Sequence, residues 1–166
     1  MTTDLIDTRQ QFYEMLDELV IRIGQPDDVT ALVEFNVAMA RETENKVLSR
    51  DIVATGVETA LQDSSHGFYV VAEKGGAIAG SLLVTKEWSD WRDGEFWWIQ
   101  SVYVEPQYRR QGVYRRLYEF VREQARAKGN VCGFRLYVER QNQVAQQTYR
   151  NLGMRETVYR LYEEEF

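Results

Sequence analysis

The chain has 166 residues, 44% of them hydrophobic and 28% charged, with two prolines and a formal net charge of −6. This composition predicts one globular domain over residues 1–166, and the acidic balance disfavours a general nucleic-acid binder because no basic surface would neutralise the phosphates. One histidine and one cysteine argue against thiolate or imidazole zinc sites. A site built from carboxylates alone stays open, but we expect no metal. The sequence shows neither a basic leader nor an apolar run of membrane length. We therefore expect a cytoplasmic protein with no membrane or nucleic acid as partner.

The first hundred residues change from a helical to a strand-like apolar period near residue 67. Helices are predicted at 8–19, after the turn at 25–28, and at 51–61. Strands are predicted at 20–23, 67–73, 77–88 and 96–104. Lys74-Gly75-Gly76 separates two of these strands and predicts a tight antiparallel hairpin. The stretch 96–104 is apolar on both alternating faces, which is typical of a central strand covered on both sides.

The remainder of the chain alternates helix and strand. A strong helical stripe follows Pro106 and stops at Gly129, and a strand is predicted at 131–138. Asn142 caps a helix that ends near Leu152, and a last strand is predicted at 157–162. The resulting order βααβββαβαβ indicates an α/β (α+β) domain, in which a mixed sheet carries helices on both faces.

Residues 107–116, QYRRQGVYRR, place four arginines where this second-half helix begins. A helix N-terminus carries roughly half a positive charge, so each nearby cation costs about 0.3 to 1 kcal/mol unless an anion answers it. The unpaired amides and Gly112 would suit such an anion. The alternative is a solvated helix start whose arginines pair with nearby glutamates. Neither G-x-x-x-x-G-K-S/T nor G-x-G-x-x-G occurs, so the fingerprints of nucleotide hydrolysis and dinucleotide binding are missing.

Two segments carry a family resemblance. Residues 109–114 resemble the Q/R-x-x-G-x-G/A segment of the GNAT superfamily of N-acetyltransferases, although Tyr114 stands where the family has Gly or Ala. Residues 138–154 resemble the family's later strand and helix through Asn142, Ala145, Tyr149, Leu152 and Gly153. The resemblance covers about residues 20–162. It implies one GNAT-like domain, with residues 1–19 as a helical extension.

The resemblance implies acetyl-CoA as co-substrate. Its pyrophosphate would rest on the amides of Gln111, Gly112, Val113 and Tyr114, with Arg109, Arg110 and Arg115 nearby. The pantetheine arm would pair with backbone groups of Val102, Tyr103 and Val104 in a gap between two strands, and Asn142 would contact the cofactor from the other side. A homodimer is a family-level expectation.

The resemblance also implies that an amine attacks the thioester directly, with Tyr149 as the general acid. From periodicity alone Tyr149 could instead be a core tyrosine. The general base is less defined, because the positions at which relatives carry a glutamate fall on Trp98 and Tyr137. Glu139 and Glu95 are the candidates, and both could equally be surface carboxylates.

The acceptor would be a primary amine of a small molecule or peptide. Aromatic and acidic side chains suit an amine cation, and those of Glu42, Glu44, Trp88 and Trp98 are candidates for binding it. The tryptophans could equally belong to the core or to a dimer interface. Two other functions stay open, namely a non-catalytic acyl-CoA sensor and a structural or partner-binding protein.

Overall fold

The computed structural model describes residues 18–166, so the helix predicted at 8–19 lies almost entirely outside the described residues. Within them, five strands form one sheet in the order β1-β2-β3-β4-β5. The strands are β1 Val20–Ile23, β2 Phe68–Lys74, β3 Ala77–Ser89, β4 Gly94–Val104 and β5 Val131–Arg135. The helices are α1 Val29–Glu44, α2 Arg50–Gln62, α3 Val113–Lys128 and α4 Gln143–Asn151.

The sheet is mixed, as predicted. Strands β1 to β4 pair antiparallel, whereas β4 and β5 pair parallel through the crossover helix α3. The hairpin between β2 and β3 closes through Gly75 and Gly76, whose φ angles of 60° and 77° are those of a turn that only glycine adopts easily. The predicted hairpin is therefore present, in the predicted place.

Apolar side chains that alternate along the strands build a core on each face of the sheet. Val70 and Leu82 pack with Leu117 and Val121 of α3 on one face. Val71 packs with Leu32 of α1 and Val57 of α2 on the other face. This division confirms a sheet covered by helices on both sides, and it explains why β4 is apolar on both of its faces.

The parallel pair β4–β5 separates halfway along β4. Trp98 and Arg135 form its last rung, after which β5 ends and residues 99–104 of β4 continue alone on that side. We call this opening the β4–β5 gap. A β-bulge, with Ser101 at φ 47°, bends β4 inside the gap.

The predicted last strand does not form. Residues 157–162 are irregular, and the side chains of Val158 and Tyr162 are 94% and 87% exposed. An alternating pattern predicts a strand only if a neighbouring strand accepts its hydrogen bonds, and no described strand does so here. The strand predicted at 131–138 likewise ends earlier, at Arg135, which forms the last rung with Trp98. No helix within residues 18–166 is long and apolar enough to cross a membrane.

Candidate functional site

The loop that connects β4 to α3 has the backbone geometry of an anion site. Arg110 and Gly112 both have positive φ angles, 62° and 79°, and α3 begins immediately afterwards at Val113. The first turn of α3 contains no acidic residue, so no side chain of that turn answers the helix dipole. A Cβ atom placed on Gly112 would meet nothing within 4 Å, so the space outside this residue is open. The amides at the start of α3 can therefore donate hydrogen bonds to an anion.

The four arginines of this loop divide into two groups. The Nε atom of Arg109 donates to the carbonyl oxygen of Val104 at 2.8 Å, and its Nη2 atom donates to Glu42 Oε2 at 2.8 Å. Among the described residues, Arg110, Arg115 and Arg116 form no ion pair and are exposed. The alternative that the arginines pair with nearby glutamates thus holds for Arg109, whereas the other three arginines are available to an anionic ligand.

Arg109 belongs to a cluster that holds the loop in place. Its guanidinium lies 5.4 Å from the ring centroid of Tyr103, whose hydroxyl donates to the second oxygen of Glu42 at 3.0 Å. Burial, followed by the neighbouring Glu42 carboxylate, raises the pKa of Tyr103. Glu42 comes from α1, so this cluster ties the loop to both β4 and α1. The guanidinium of Arg109, expected near the pyrophosphate, is instead engaged with protein groups.

The backbone of β4 faces the β4–β5 gap at two of the three predicted positions. The Glu105 amide donates to the carbonyl of Ala79 on β3, so by alternation the polar groups of Tyr103 also face β3. The groups of Val104 then face the gap, as does the carbonyl of Val102, which points away from β3 because it shares a peptide with the Tyr103 amide. Because the Val104 carbonyl already accepts from Arg109, the Val104 amide and the Val102 carbonyl remain for a ligand. The expected backbone contact at Tyr103 does not fit this geometry.

Two tyrosines meet between α3 and α4. The rings of Tyr114 and Tyr149 are 5.8 Å apart at 70°, an edge-to-face arrangement. Burial raises the pKa of both phenols, so both are protonated at neutral pH. The Tyr114 hydroxyl is buried without a hydrogen-bond partner. The bulky side chain at this position packs against the core on the α3 face of the sheet and leaves the outer side of Gly112 clear.

The segment between β5 and α4 contains Asn142 and Glu139. Asn142 caps α4 as predicted, since its Oδ1 atom accepts from the Ala145 amide at 3.0 Å. The Glu139 carboxylate accepts from the Gln141 amide at 2.6 Å and is exposed. Glu139 therefore lies in the turn that carries Asn142.

Glu95 lies at the other end of β4, about 30 Å along an extended strand from the loop. Its carboxylate accepts from Lys128 Nζ at 2.6 Å and from Trp97 Nε1 at 3.0 Å. These contacts, first that of Lys128 and then that of Trp97, lower the pKa of Glu95. A paired carboxylate of low pKa so far from the loop does not fit the role of general base.

The four residues predicted to bind the acceptor are dispersed. Glu42 holds Arg109, and Glu44 forms an ion pair with Lys46 at 2.8 Å. Trp88 is 65% exposed but pairs in register with Glu95, away from the gap. Trp98 alone lies at the gap, on the last rung of the β4–β5 pair.

Sequence reasoning missed the residues that surround Trp98. Glu87 Oε1 accepts from Arg135 Nη1 at 2.7 Å, while Glu87 Oε2 accepts from the indole nitrogen of Trp98. The ring of Tyr137 lies 4.6 Å from that of Trp98. We call these four residues the Trp98 cluster. The alternation of residues along β3 and β4 indicates which side chains share a face. It does not indicate which residue of β3 lies beside Trp98, because that depends on the register of the two strands.

The described residues contain no group of three or more histidine, cysteine, aspartate or glutamate side chains arranged to hold a metal ion. The polar groups at the loop and the gap are backbone groups, arginines and the Trp98 cluster, whose one carboxylate, Glu87, is engaged by Arg135 and Trp98. Such groups bind anions and hydrogen-bonding ligands.

The chain is similar to a known protein family and to solved structures. The acetyltransferase (GNAT) family model matches residues 31–154. A possible acetyltransferase from Clostridium difficile 630 is 40% identical, with a TM-score of 0.83 over 89% of this chain and 97% of that one. No curated protein matches this chain.

Two further solved structures, both below 25% identity, share the fold. The first is a predicted acetyltransferase with acetyl-CoA from Clostridium acetobutylicum, which is 15% identical with a TM-score of 0.73 over 89% of this chain and 96% of that chain. The second is a ribosomal-protein-alanine N-acetyltransferase from Brucella melitensis biovar Abortus 2308. It is 14% identical with a TM-score of 0.71, over 90% of this chain and 100% of that chain.

Proposed function

This chain belongs to the acetyltransferase (GNAT) family and is an acyltransferase, and we propose that it transfers an acetyl group from acetyl-CoA to a primary amine of a small molecule or peptide by direct attack. One observation carries the proposal: the loop before α3 joins unanswered helix amides, an open space at Gly112 and three unpaired arginines. Such a site suits a pyrophosphate. The C. acetobutylicum relative, solved with acetyl-CoA, supports the choice of co-substrate.

The proposed cofactor contacts follow the free groups at the loop and the gap. The amides of Gln111 to Tyr114 would hold the pyrophosphate, with Arg110 and Arg115 as neighbouring cations. The free backbone groups of Val102 and Val104 would pair with the pantetheine amides. Asn142 keeps its capping bond through Oδ1 and has a side-chain amide nitrogen to donate.

The chemistry has two proton requirements. Acetyl-CoA supplies the thioester, at which a nitrogen–carbon bond forms and the carbon–sulfur bond breaks. Tyr149 would give its phenolic proton to the departing sulfur, and burial keeps that phenol protonated at neutral pH because it raises the pKa. An ordinary alkylamine with a pKa of about 10.4 is neutral only about once in 2,500 molecules at pH 7, a handicap of about 4 to 5 kcal/mol. Glu139 is the remaining candidate to accept the amine's proton.

A charge-only substitution at Gly112 tests the proposal. Asparagine and aspartate both tolerate a positive φ and have nearly the same shape, so Gly112→Asn and Gly112→Asp differ mainly in one negative charge. The aspartate should not destabilise α3 relative to asparagine, because an anion at a helix N-terminus is favourable. It should nevertheless weaken acetyl-CoA binding at least tenfold relative to asparagine, measured by isothermal titration calorimetry. Equal affinities for the two variants would remove the pyrophosphate from this loop.

A non-catalytic acyl-CoA sensor is the second candidate. The observation that favours it is the absence of a carboxylate at Trp98 and Tyr137, the two positions where relatives carry a glutamate. A sensor would bind acetyl-CoA and raise its own melting temperature, yet release no free thiol with any member of an amine panel. Thiol release with one amine would exclude it.

A further inference from the structure

The Trp98 cluster lies where the two central strands part. Trp98 and Arg135 form the last rung of the β4–β5 pair, and Tyr137 follows two residues after Arg135. The neighbouring residues Trp97 and Phe134 belong to the core on the α3 face. By alternation, Trp98, Arg135 and Tyr137 therefore lie on the opposite face of the sheet, beside the closed end of the gap.

This position is where the acyl group would arrive under the proposed function. The pyrophosphate loop follows Val104, and the free backbone groups of Val104 and Val102 run from that loop towards Trp98. A ligand bound by its phosphates at the loop and extended along these groups would direct its far end to the closed end of the gap. The acceptor must approach that end, so side chains of the Trp98 cluster would meet it.

The cluster is held in one arrangement by Glu87. Its two carboxylate oxygens accept from Arg135 and from the indole of Trp98, which fixes both groups. The Arg135 guanidinium also lies 3.8 Å from the ring centroid of Phe96. The Trp98 ring thus presents a fixed surface, extended by the tilted ring of Tyr137, whose side chain is 54% exposed.

The charges around this surface disfavour a polycation. Glu87 is the only carboxylate in the cluster, and both of its oxygens are engaged. Two cations are close by, since Arg135 and Arg92 both stack on Phe96. A polyamine or an aminoglycoside would need free carboxylates for its additional charges, whereas a flat apolar body needs only the exposed ring of Tyr137 and the half-buried ring of Trp98.

We propose that the Trp98 cluster is the acceptor platform and that it selects a primary monoamine carried on an aromatic body, with Tyr137 and Trp98 as its contacts and Glu87 as a positioning residue. This inference rests on the proposed acetyl transfer. It adds the class of the acceptor and the residues that distinguish one amine from another.

Thiol-release kinetics at saturating acetyl-CoA test the platform with three probes: 2-phenylethylamine, propylamine and spermidine. We expect 2-phenylethylamine to have the highest kcat/KM. Tyr137→Ala should lower that value about three- to tenfold, which corresponds to one lost aromatic contact, through KM rather than kcat. It should leave propylamine turnover and the KM for acetyl-CoA unchanged, and Tyr137→Phe should restore the wild-type value. Trp88→Ala is the matched control, because it removes an exposed ring outside the gap and should change none of these values.

A second measurement does not require turnover. Titration of 2-phenylethylamine into the wild-type protein should quench tryptophan fluorescence, and Trp98→Phe should remove that response while Trp88→Phe retains it. A preference for spermidine, or full 2-phenylethylamine turnover in Tyr137→Ala, would overturn the platform while leaving acetyl transfer intact. Failure of acetyl-CoA to bind the wild-type protein at all would instead overturn the proposed function on which the platform depends.

Discussion

Tyr114 offers a stability test in which a single atom is removed. Its hydroxyl is buried and has no hydrogen-bond partner, while its ring packs edge-to-face on Tyr149. A buried hydroxyl without a partner costs about 1 to 3 kcal/mol, because it loses hydration and gains nothing in return. Tyr114→Phe removes the hydroxyl and keeps the ring.

We expect Tyr114→Phe to raise the free energy of unfolding by about 1 kcal/mol, since the small void left by the oxygen offsets part of the gain. For a chain of this size the melting temperature should rise about 2 to 4 °C. Tyr118→Phe is the matched control. It lies one turn further along α3, and its hydroxyl is not among the buried unpartnered atoms. The free energy of unfolding of Tyr118→Phe should differ from that of wild type by less than about 0.5 kcal/mol. Thermal and urea unfolding followed by circular dichroism measure both variants.

The pH dependence of the stability difference between Tyr114→Phe and wild type is a second, independent test. Burial, then the neighbouring tyrosines, raise the pKa of Tyr114 in the folded state, while in the unfolded chain it stays near 10. Above pH 10 the unfolded phenol ionises first, so wild-type stability falls as pH rises from there towards the folded pKa. Phenylalanine cannot ionise, and the advantage of Tyr114→Phe should widen between pH 9 and about pH 11. A variant less stable than wild type at neutral pH would mean that the hydroxyl has a partner, such as an ordered water, and would refute the reasoning.

Three further substitutions separate catalysis from stability. Tyr149→Phe should lower kcat by about 10²-fold or more, as loss of a general acid does, and calorimetry should give an unchanged Kd for acetyl-CoA; full turnover would remove Tyr149 as the acid. Asp28→Asn should lower the free energy of unfolding by about 2 kcal/mol, because it removes the charge of a buried carboxylate that accepts from Arg22 at 2.7 and 2.8 Å. This value is reduced because the arginine is partly exposed to solvent. Burial alone would raise the pKa of Asp28, but bonds from Arg22 and the Gln25 amide outweigh it and lower the pKa, so this contribution is present above about pH 4 and is lost as pH falls through the folded pKa; a difference between wild type and variant that persists unchanged at pH 2 would contradict this. Glu95→Gln should cost about 0.5 kcal/mol by weakening the pair with Lys128 and should leave kcat/KM unchanged, since Glu95 lies far from the gap; a large loss of activity would return it to the site.

The sequence predicted the parts of the fold that depend on local periodicity. The period-two pattern gave β2, β3 and β4, and the glycines at 75 and 76 gave the hairpin between two of them. The helical stripe gave α3, whose residues Leu117 and Val121 are fully buried. These features are fixed by neighbours a few residues apart, so a single sequence contains enough information to predict them.

Features that depend on distant partners were not predictable in the same way. The last strand failed because a strand requires an acceptor edge, and residues 157–162 pair with no described strand. The backbone contact predicted at Tyr103 does not fit the fold, because the bulge at Ser101 and the register with β3 decide which way each peptide faces. Neither the pairing of a strand nor the direction in which a peptide faces can be deduced from residue spacing alone.

The arginines of QYRRQGVYRR show both a local feature that the sequence predicts and a distant contact that it does not. With respect to the helix dipole all four are equivalent, since each lies near the start of α3. The fold distinguishes them: Arg109 meets Glu42, which is 67 residues away in sequence, and its bond to Val104 anchors the loop to the end of β4. A loop held by one arginine can keep its amides in place before a ligand arrives, and this preorganisation lowers the entropic cost of binding. Under the proposed function, Arg109 would therefore shape the anion site, and the three arginines without an ion pair would supply its charge.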